Sequence, residues 1–360
     1  MSLDKEHMTL ALNLALKGQR KTNPNPMVGC VIVHEGQVIG KGWHKGYGKE
    51  HAEINAINDV KKKYRDSSQE LLTKSSMYVT LEPCSRQGNT PPCVNEIIKS
   101  GLQKVFIASS DNSQEGINNL RNQGIQVEIG ILKKEARDIN KGFFSRIEKG
   151  RPYTLAKIAI GLDGGIALKN GESKWITSKE SREDVHILRS FSDAIMTGGN
   201  TIRRDDPSLT VRLDKQFKNP LRCIVSRNSN FSGRERIFND GGKTTLYTSS
   251  NRKLTTNNKL QIHNESNNQG QDLVKVLNDL GSNHINYLLI ECGASLLYEL
   301  FSLKLIDELV IYQAPKVLGG NRVNFINLEG RNKQVGKIAL ELLSVENKGI
   351  DKKIILMPKY

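Results

Sequence analysis

Hydrophobic and polar positions along the first 146 residues follow two periods in turn. LDKEHMTLALNLALKGQ places apolar residues three and four apart and predicts an amphipathic helix over 4–18, acidic in its first turn. Strands are predicted near 27–33 and 37–43, then a helix over 52–64 and a strand over 76–81. A helix over 92–100 stops at Gly101, and strands at 104–109 and 125–129 precede a helix over 133–146. This alternation predicts a sheet between helices, a three-layer α/β/α unit. The runs TLAKIAI, DAIMTG, LRCIVS, TTLYTS, NYLLIE and DELVIYQAP predict a second α/β half, with a helix in SKESREDVHILRSF. Gly198-Gly199 reads as a turn, and the polar stretches 227–243 and 249–270 read as long surface loops. Gly150-Arg151-Pro152 punctuates the chain, predicting domains over 1–148 and 149–360.

Five cysteines, an odd and low count, argue against a disulfide framework. Cys30 and Cys223 sit in apolar strand-like runs and read as inert core residues. No apolar run approaches the ~18 residues of a membrane span, and the first helix lacks the pattern of a signal peptide. A cytoplasmic location is expected. The net charge of +15 invites a nucleic-acid reading, but the densest basic run is Lys61-Lys62-Lys63 and no aromatic-interleaved basic motif accompanies it. The charge reads as a solvated lysine-rich surface, with attraction of phosphorylated small molecules second.

Candidate chemistry is concentrated in His51-Ala52-Glu53, Pro83-Cys84 and Cys93. His51 precedes a helix, Cys84 follows a strand, and Cys93 opens another helix. Catalytic zinc takes three protein ligands and leaves a position for water. Three such ligands with a non-ligating glutamate two residues after the histidine match the arrangement of zinc nucleobase deaminases, whose glutamate is the general acid/base. The second half is less specific: a strand-Gly-helix at Gly293, paired aspartates at 205–206 and several arginines. Amides at a helix N-terminus bind phosphate, and the ordinary Gly-x-Gly-x-x-Gly fingerprint is absent. Spacing alone leads only to a second α/β domain for a phosphorylated ligand.

TNPNPMVGCVIV, GKGWHKGYGKEHAEINA, YVTLEPC and TPPC resemble the deaminase half of the RibD family, the bifunctional deaminase/reductases of riboflavin biosynthesis. KIAIGLDGGIA, GESKWIT, VHILRSFSDAIMTGGNTIRRDDPSLTVR, ECGASLL and APKVLGG resemble its reductase half, in order, from about Lys5 to the C-terminus. The resemblance implies deamination of 2,5-diamino-6-(5-phosphoribosylamino)pyrimidin-4-one. Reduction of the ribosyl group to ribityl by NADPH follows, in a dihydrofolate-reductase-like domain. It implies zinc on His51, Cys84 and Cys93, Glu53 as proton shuttle, and Asn23 and Asn25 at the pyrimidine. Substrate contacts are implied for Ser173, Arg189, Leu209, Arg212 and Glu291, joined by Lys157 and Asp163 of the same motif. NADPH contacts are implied for Ala159, Trp175, Thr201, Asp205, Gly293, Ala294, Ser295, Leu296, Leu297, Tyr298 and Glu299. The expected partners are the phosphorylated pyrimidine and further copies of the chain, as dimer or tetramer, with no nucleic acid and no membrane.

The chain also departs from the family pattern. Arg86 and Asn89 stand where the family has His and Arg, and Asp111-Asn112-Ser113 shortens an Asp-Pro-Asn-Pro segment. Gly161, Ser226-Arg227 and Cys292 replace Ser, Asp-Ser and Gly. Two other classes therefore stand beside the bifunctional enzyme: a homologue with a weakened deaminase half, and a polynucleotide-directed zinc deaminase.

Overall fold

The computed structural model describes residues 2–88, 90–168, 175–213, 217–250, 260–264 (backbone only), 272–326 and 338–360. The chain divides into two compact units, Met1–Lys149 and Gly150–Tyr360.

The first unit runs α1 (Leu3–Ala15), β1 (Gly29–His34), β2 (Gln37–Trp43), α2 (Ala52–Tyr64), α3 (Ser68–Thr73) and β3 (Ser76–Leu81). It continues with α4 (Cys93–Lys99), β4 (Lys104–Ser109), α5 (Gly116–Asn122), β5 (Gln126–Ile129), α6 (Lys133–Asp138) and α7 (Lys141–Lys149). Its sheet has the order β2-β1-β3-β4-β5. β1 is antiparallel to β2 and β3, whereas β3, β4 and β5 are parallel. Alternation along β1 divides the core. Cys30 and Ile32 pack with Ala52, Ala56 and Ile57 of α2, while Val31 and Val33 pack with Met8 and Ala11 of α1. The sheet is thus covered on both faces. The helix predicted over 133–146 is broken at Ile139-Asn140, and α3 and α5 are short helices that the periodicity did not announce.

The second unit runs β6 (Tyr153–Ile160), β7 (Gly165–Leu168), α8 (Lys179–Phe191), β8 (Ala194–Gly198), α9 (Gly199–Asp205), β9 (Leu221–Ser226), β10 (Thr244–Thr248) and β11 (Leu260–Asn264). There follow α10 (Leu273–Ser282), β12 (Tyr287–Ile290), α11 (Ala294–Ser302), β13 (Glu308–Gln313), β14 (Arg322–Asn324), β15 (Ala339–Lys348) and β16 (Asp351–Lys359). Nine strands form one sheet in the order β11-β10-β9-β8-β12-β6-β13-β16-β15 among the described residues, parallel except at β16 and β15. Side-chain caps start two of its helices: Ser178 accepts from Ser181 N, and Asp272 accepts from Val274 N and Lys275 N.

Two sequence expectations are corrected here. β11 lies inside the stretch expected to be loop, paired in parallel with β10; the rest of 251–271 lies outside the described residues. Gly198-Gly199 is not a free turn. Gly198 ends β8 in extended conformation and Gly199 opens α9, where a Cβ would lie 2.3 Å from Ser226 Oγ. The strand-to-helix junction requires that close approach.

Candidate active sites

In the first unit, one loop and two helix starts converge. His51 precedes α2 in extended conformation (φ −74°, ψ 170°), so its ring is aimed from a fixed helix end. α2 can lie this close to β2 because Gly42 has no side chain; a Cβ there would be 2.1 Å from Ala52 O. Cys84 leaves β3 through Glu82-Pro83. The buried Glu82 carboxylate accepts from Asp111 N (2.9 Å) and Ile117 N (3.0 Å), fastening that loop to the start of α5. Cys93 begins α4, and its amide donates to Cys84 Sγ at 3.3 Å.

His51 Nδ1 lies 3.5 Å from Cys84 Sγ and 3.3 Å from Cys93 Sγ. A tetrahedral ion with Zn–S of ~2.3 Å and Zn–N of ~2.0–2.1 Å spaces its ligands by roughly 3.5 Å, so the three atoms fit zinc. Among the described residues these three are the group whose donor atoms gather closely enough, within 4.8 Å, to hold a metal ion. Hydrogen bonding between the two sulfurs lowers the pKa of Cys84 and raises that of Cys93, so one proton is held between them. A divalent ion would displace that proton, since ligand cysteines bind as thiolates. Glu53 is 3% exposed, and its Oε2 has no hydrogen-bond partner among the described residues. Burial pushes its carboxyl up to about 7, against the opposing pull of His51.

His44 was not singled out by sequence. It is 2% exposed, and its ring stands edge-on to His51 at 5.1 Å. Its Nδ1 faces Glu50 O at 3.2 Å and its Nε2 faces Asn25 Nδ2 at 3.4 Å. A donor at Nδ1 and an acceptor at Nε2 satisfy both contacts with one neutral tautomer. Burial, reinforced by His51 and opposed by the Glu50 carbonyl, lowers its pKa and favours that form. The available signal was a histidine at the end of a predicted strand, seven residues before the ligand. Asn23 is half-buried in the same turn as Asn25. Arg86 is exposed, and Asn89 lies outside the described residues.

In the second unit, Glu291 is the centre of a charged cluster at the carboxyl end of β12. Arg189 Nε donates to one of its oxygens at 2.6 Å and Nη2 to the other at 3.0 Å, while Lys157 Nζ lies 3.6 Å away. Burial opposes the charge, but Arg189 and Lys157 outweigh it and bring Glu291 down to about 2. Arg189 also donates to Thr210 O at 3.0 Å. Its guanidinium is therefore held by the protein at three of its five N–H groups. Arg212 keeps a more open fork. Among the described residues its side chain makes a long contact with Thr210 Oγ1 (3.5 Å), while its backbone N donates to His186 Nδ1 at 3.2 Å. Burial first, then Arg189 and Arg212, push His186 down to about 4, so its ring stays neutral and can accept.

The remaining implied contacts are distributed unevenly. Gly293 caps α11, a nine-residue helix, and none of the described residues lies within 4 Å of the Cβ it lacks. Gly198, at the end of the neighbouring β8, faces Leu296. A glycine helix cap open at the carboxyl edge of a parallel sheet fits the diphosphate of NADPH. Ala294, Leu297, Tyr298 and Leu209 are buried, Leu296, Glu299, Thr201 and Ala159 are half-buried, and Ser295 and Asp205 are exposed. Leu209 packs among Ile195, Ile202 and Ile224, so any ligand contact there falls to its backbone. Trp175 is 64% exposed and stacks on Arg182 at 4.4 Å. Asp163 accepts from Leu318 N (3.0 Å) and Gly319 N (2.9 Å), which makes it a clamp on the loop after β13. Arg227 is largely exposed and reaches Glu299 at 3.4 Å. Ser173 lies outside the described residues.

Known proteins resemble both units. The family model described as RibD C-terminal domain matches residues 152–354, and that of the cytidine and deoxycytidylate deaminase zinc-binding region matches residues 1–109. The riboflavin biosynthesis protein RibD of Aquifex aeolicus is 38% identical over 88% of each chain, and that of Escherichia coli 34% over 97% of each. Among solved structures, Acinetobacter baumannii RibD superposes with a TM-score of 0.87 at 32% identity, covering 99% of both chains. A Thermotoga maritima structure, titled as a diaminohydroxyphosphoribosylaminopyrimidine deaminase/5-amino-6-(5-phosphoribosylamino)uracil reductase, gives 0.86 at 32% identity over the same share. Zinc for deamination and NADPH for reduction are the cofactors that go with the two matched domains. With both halves matched in order over nearly its full length, the chain belongs to the RibD family of bifunctional riboflavin-biosynthesis deaminase/reductases.

Proposed function

We propose that the unit ending at Lys149 hydrolyses the 2-amino group from 2,5-diamino-6-(5-phosphoribosylamino)pyrimidin-4-one. The unit beginning at Gly150 then reduces the ribosyl group of the product to ribityl with NADPH. The carrying observation is the convergence of His51, Cys84 and Cys93 beside a buried Glu53 oxygen that has no partner among the described residues. When bound, zinc supplies a Lewis acid that makes water nucleophilic near neutral pH. Glu53 accepts a proton from the attacking water and returns it to the departing amine. Asn23 and Asn25 hold the pyrimidine, and His44 orients Asn25 as a neutral acceptor for its amide. In the second reaction NADPH supplies the reducing equivalents. Arg189, Lys157 and Glu291 form a rigid charged floor, and Arg212 takes the substrate phosphate. Incubating the protein with the diaminopyrimidine phosphate, with and without NADPH, tests the reading. The deaminated pyrimidine alone is expected without NADPH, and the ribityl product with it.

Arg212→Ala should raise KM for the phosphorylated substrate about one to two decades, the cost of losing a charged hydrogen-bond partner. KM for NADPH should hold. A collapse of NADPH binding with substrate KM intact would invert the division of this site. A second reading, a weakened deaminase half, is motivated by Arg86 and Asn89. It predicts reduction of pre-deaminated substrate with little deamination in the same assay.

Among the described residues no helix is long and apolar enough to cross a membrane, and we place the reactions in the cytoplasm with a small-molecule rather than a polynucleotide substrate. We also propose a homo-oligomer. β15 ends the large sheet and exposes Leu340, Leu342, Leu343 and Val345, an apolar edge suited to a second copy. A monomer by sedimentation velocity would overturn this.

A further inference from the structure

We infer that Asn140 is a positioning residue for deamination, which sets the turn carrying Asn23 and Asn25. Asn140 occupies the break between α6 and α7, the place where an asparagine ordinarily caps the following helix with its side chain. Here the side chain is turned to another segment. Its Oδ1 accepts from Met27 N at 2.8 Å and its Nδ2 donates to Met27 O at 2.8 Å, across 113 residues of sequence. Asn140 is 4% exposed. One amide side chain thus satisfies both backbone groups of a single residue, as a neighbouring strand would. Six residues further along, Arg146 donates to Pro24 O at 3.2 Å. The chain end of the unit therefore grips the Asn23–Met27 turn at Met27 and at Pro24.

Position is transmitted over short, stiff links. Met27 lies two residues from Asn25. The next residue, Val28, accepts from His44 N at 2.9 Å, and Gly29 donates to Thr80 Oγ1 at 3.1 Å as β1 begins. Shifting Met27 would move Asn25 on one side and the His44 backbone on the other, and these two side chains meet at 3.4 Å. Asn140 touches no ligand-set residue, so it acts through the turn.

The inference rests on Asn25 belonging to the pyrimidine pocket, and a double-mutant cycle on the full-length zinc enzyme separates the two claims. Asn25→Ala, Asn140→Ala and their combination are compared for deaminase kcat/KM, zinc content and reduction of pre-deaminated substrate. Asn140→Ala should lower deaminase kcat/KM by up to about 10²-fold, the scale of a remote misplacement of about 1 Å. Zinc and reductase activity should be unchanged. The combination should lose little beyond Asn25→Ala, because both act on one contact. An inert Asn25→Ala would remove the pocket reading itself. A damaging Asn25→Ala with a harmless Asn140→Ala, or with fully additive losses, would overturn the positioning role. Should Asn140→Ala fail to fold, Arg146→Ala removes the bond to Pro24 O and keeps the Asn140–Met27 pair. It should then give a few-fold loss of deamination that is likewise absorbed in the Asn25→Ala background; an unchanged rate would count against the inference.

Discussion

The Cys84→Ser, Cys93→Ser double variant is expected to contain no zinc and to show no deamination. Removing two of three ligands leaves His51 alone, and a single imidazole does not retain the ion against buffer. No other His, Cys, Asp or Glu set among the described residues brings its donor atoms together to substitute. Reduction of pre-deaminated substrate should continue, because the Arg189–Glu291–Lys157 cluster lies in a separate compact unit with its own core. Metal analysis and the two assays decide it. Full zinc content in the variant would place the metal elsewhere, and joint loss of both activities would show that the units do not fold independently.

Glu53→Gln should retain the zinc and lose deamination by roughly 10²–10⁴-fold, the usual cost of removing a general acid/base. The substitution is nearly isosteric and leaves His51, Cys84 and Cys93 untouched, so the metal reports that the site is intact. The carboxyl is suited to this task by burial, which brings it up to about 7, where a group both takes and returns a proton readily. The positive charge of bound zinc would lower that value and favour the accepting form. An amide can do neither. Deamination at the native rate in the glutamine variant would end the assignment of Glu53 as shuttle.

Much of this was legible one residue at a time. The strands and longer helices of the first unit follow from periodicity, because each apolar stripe had a single core to face, α1 on one side of β1 and α2 on the other. The break at Asn140 was not legible. Asn140 and Gly142 weaken the helical pattern of 133–146 without fixing where it stops, and the side chain at the break is taken up by Met27, 113 residues away. β11 was missed for a different reason: Leu260-Gln261-Ile262-His263 does alternate, but the run is short and set in a polar stretch, and its pairing with β10 is not visible locally. Gly199 looked like a turn because close packing against Ser226 leaves no trace in the local sequence.

The sites show the same boundary. His51, Glu53, Cys84 and Cys93 could be chosen from the chain because a metal demands particular atoms, and few residues offer them at strand ends and helix starts. Similarity in motif order extended that choice to the reductase half. What the sequence by itself determined was therefore chemical type: which side chains can ligate, carry charge or exchange a proton. What the tertiary structure decided was how each is spent. It brought His44 against Asn25 and His51, and held Arg189 against Glu291. It put Leu209 into the core and Asp163 onto a loop. Ligand donors are intrinsic to a residue, whereas a hydrogen bond belongs to two groups, and the second of them is supplied only when the chain has folded.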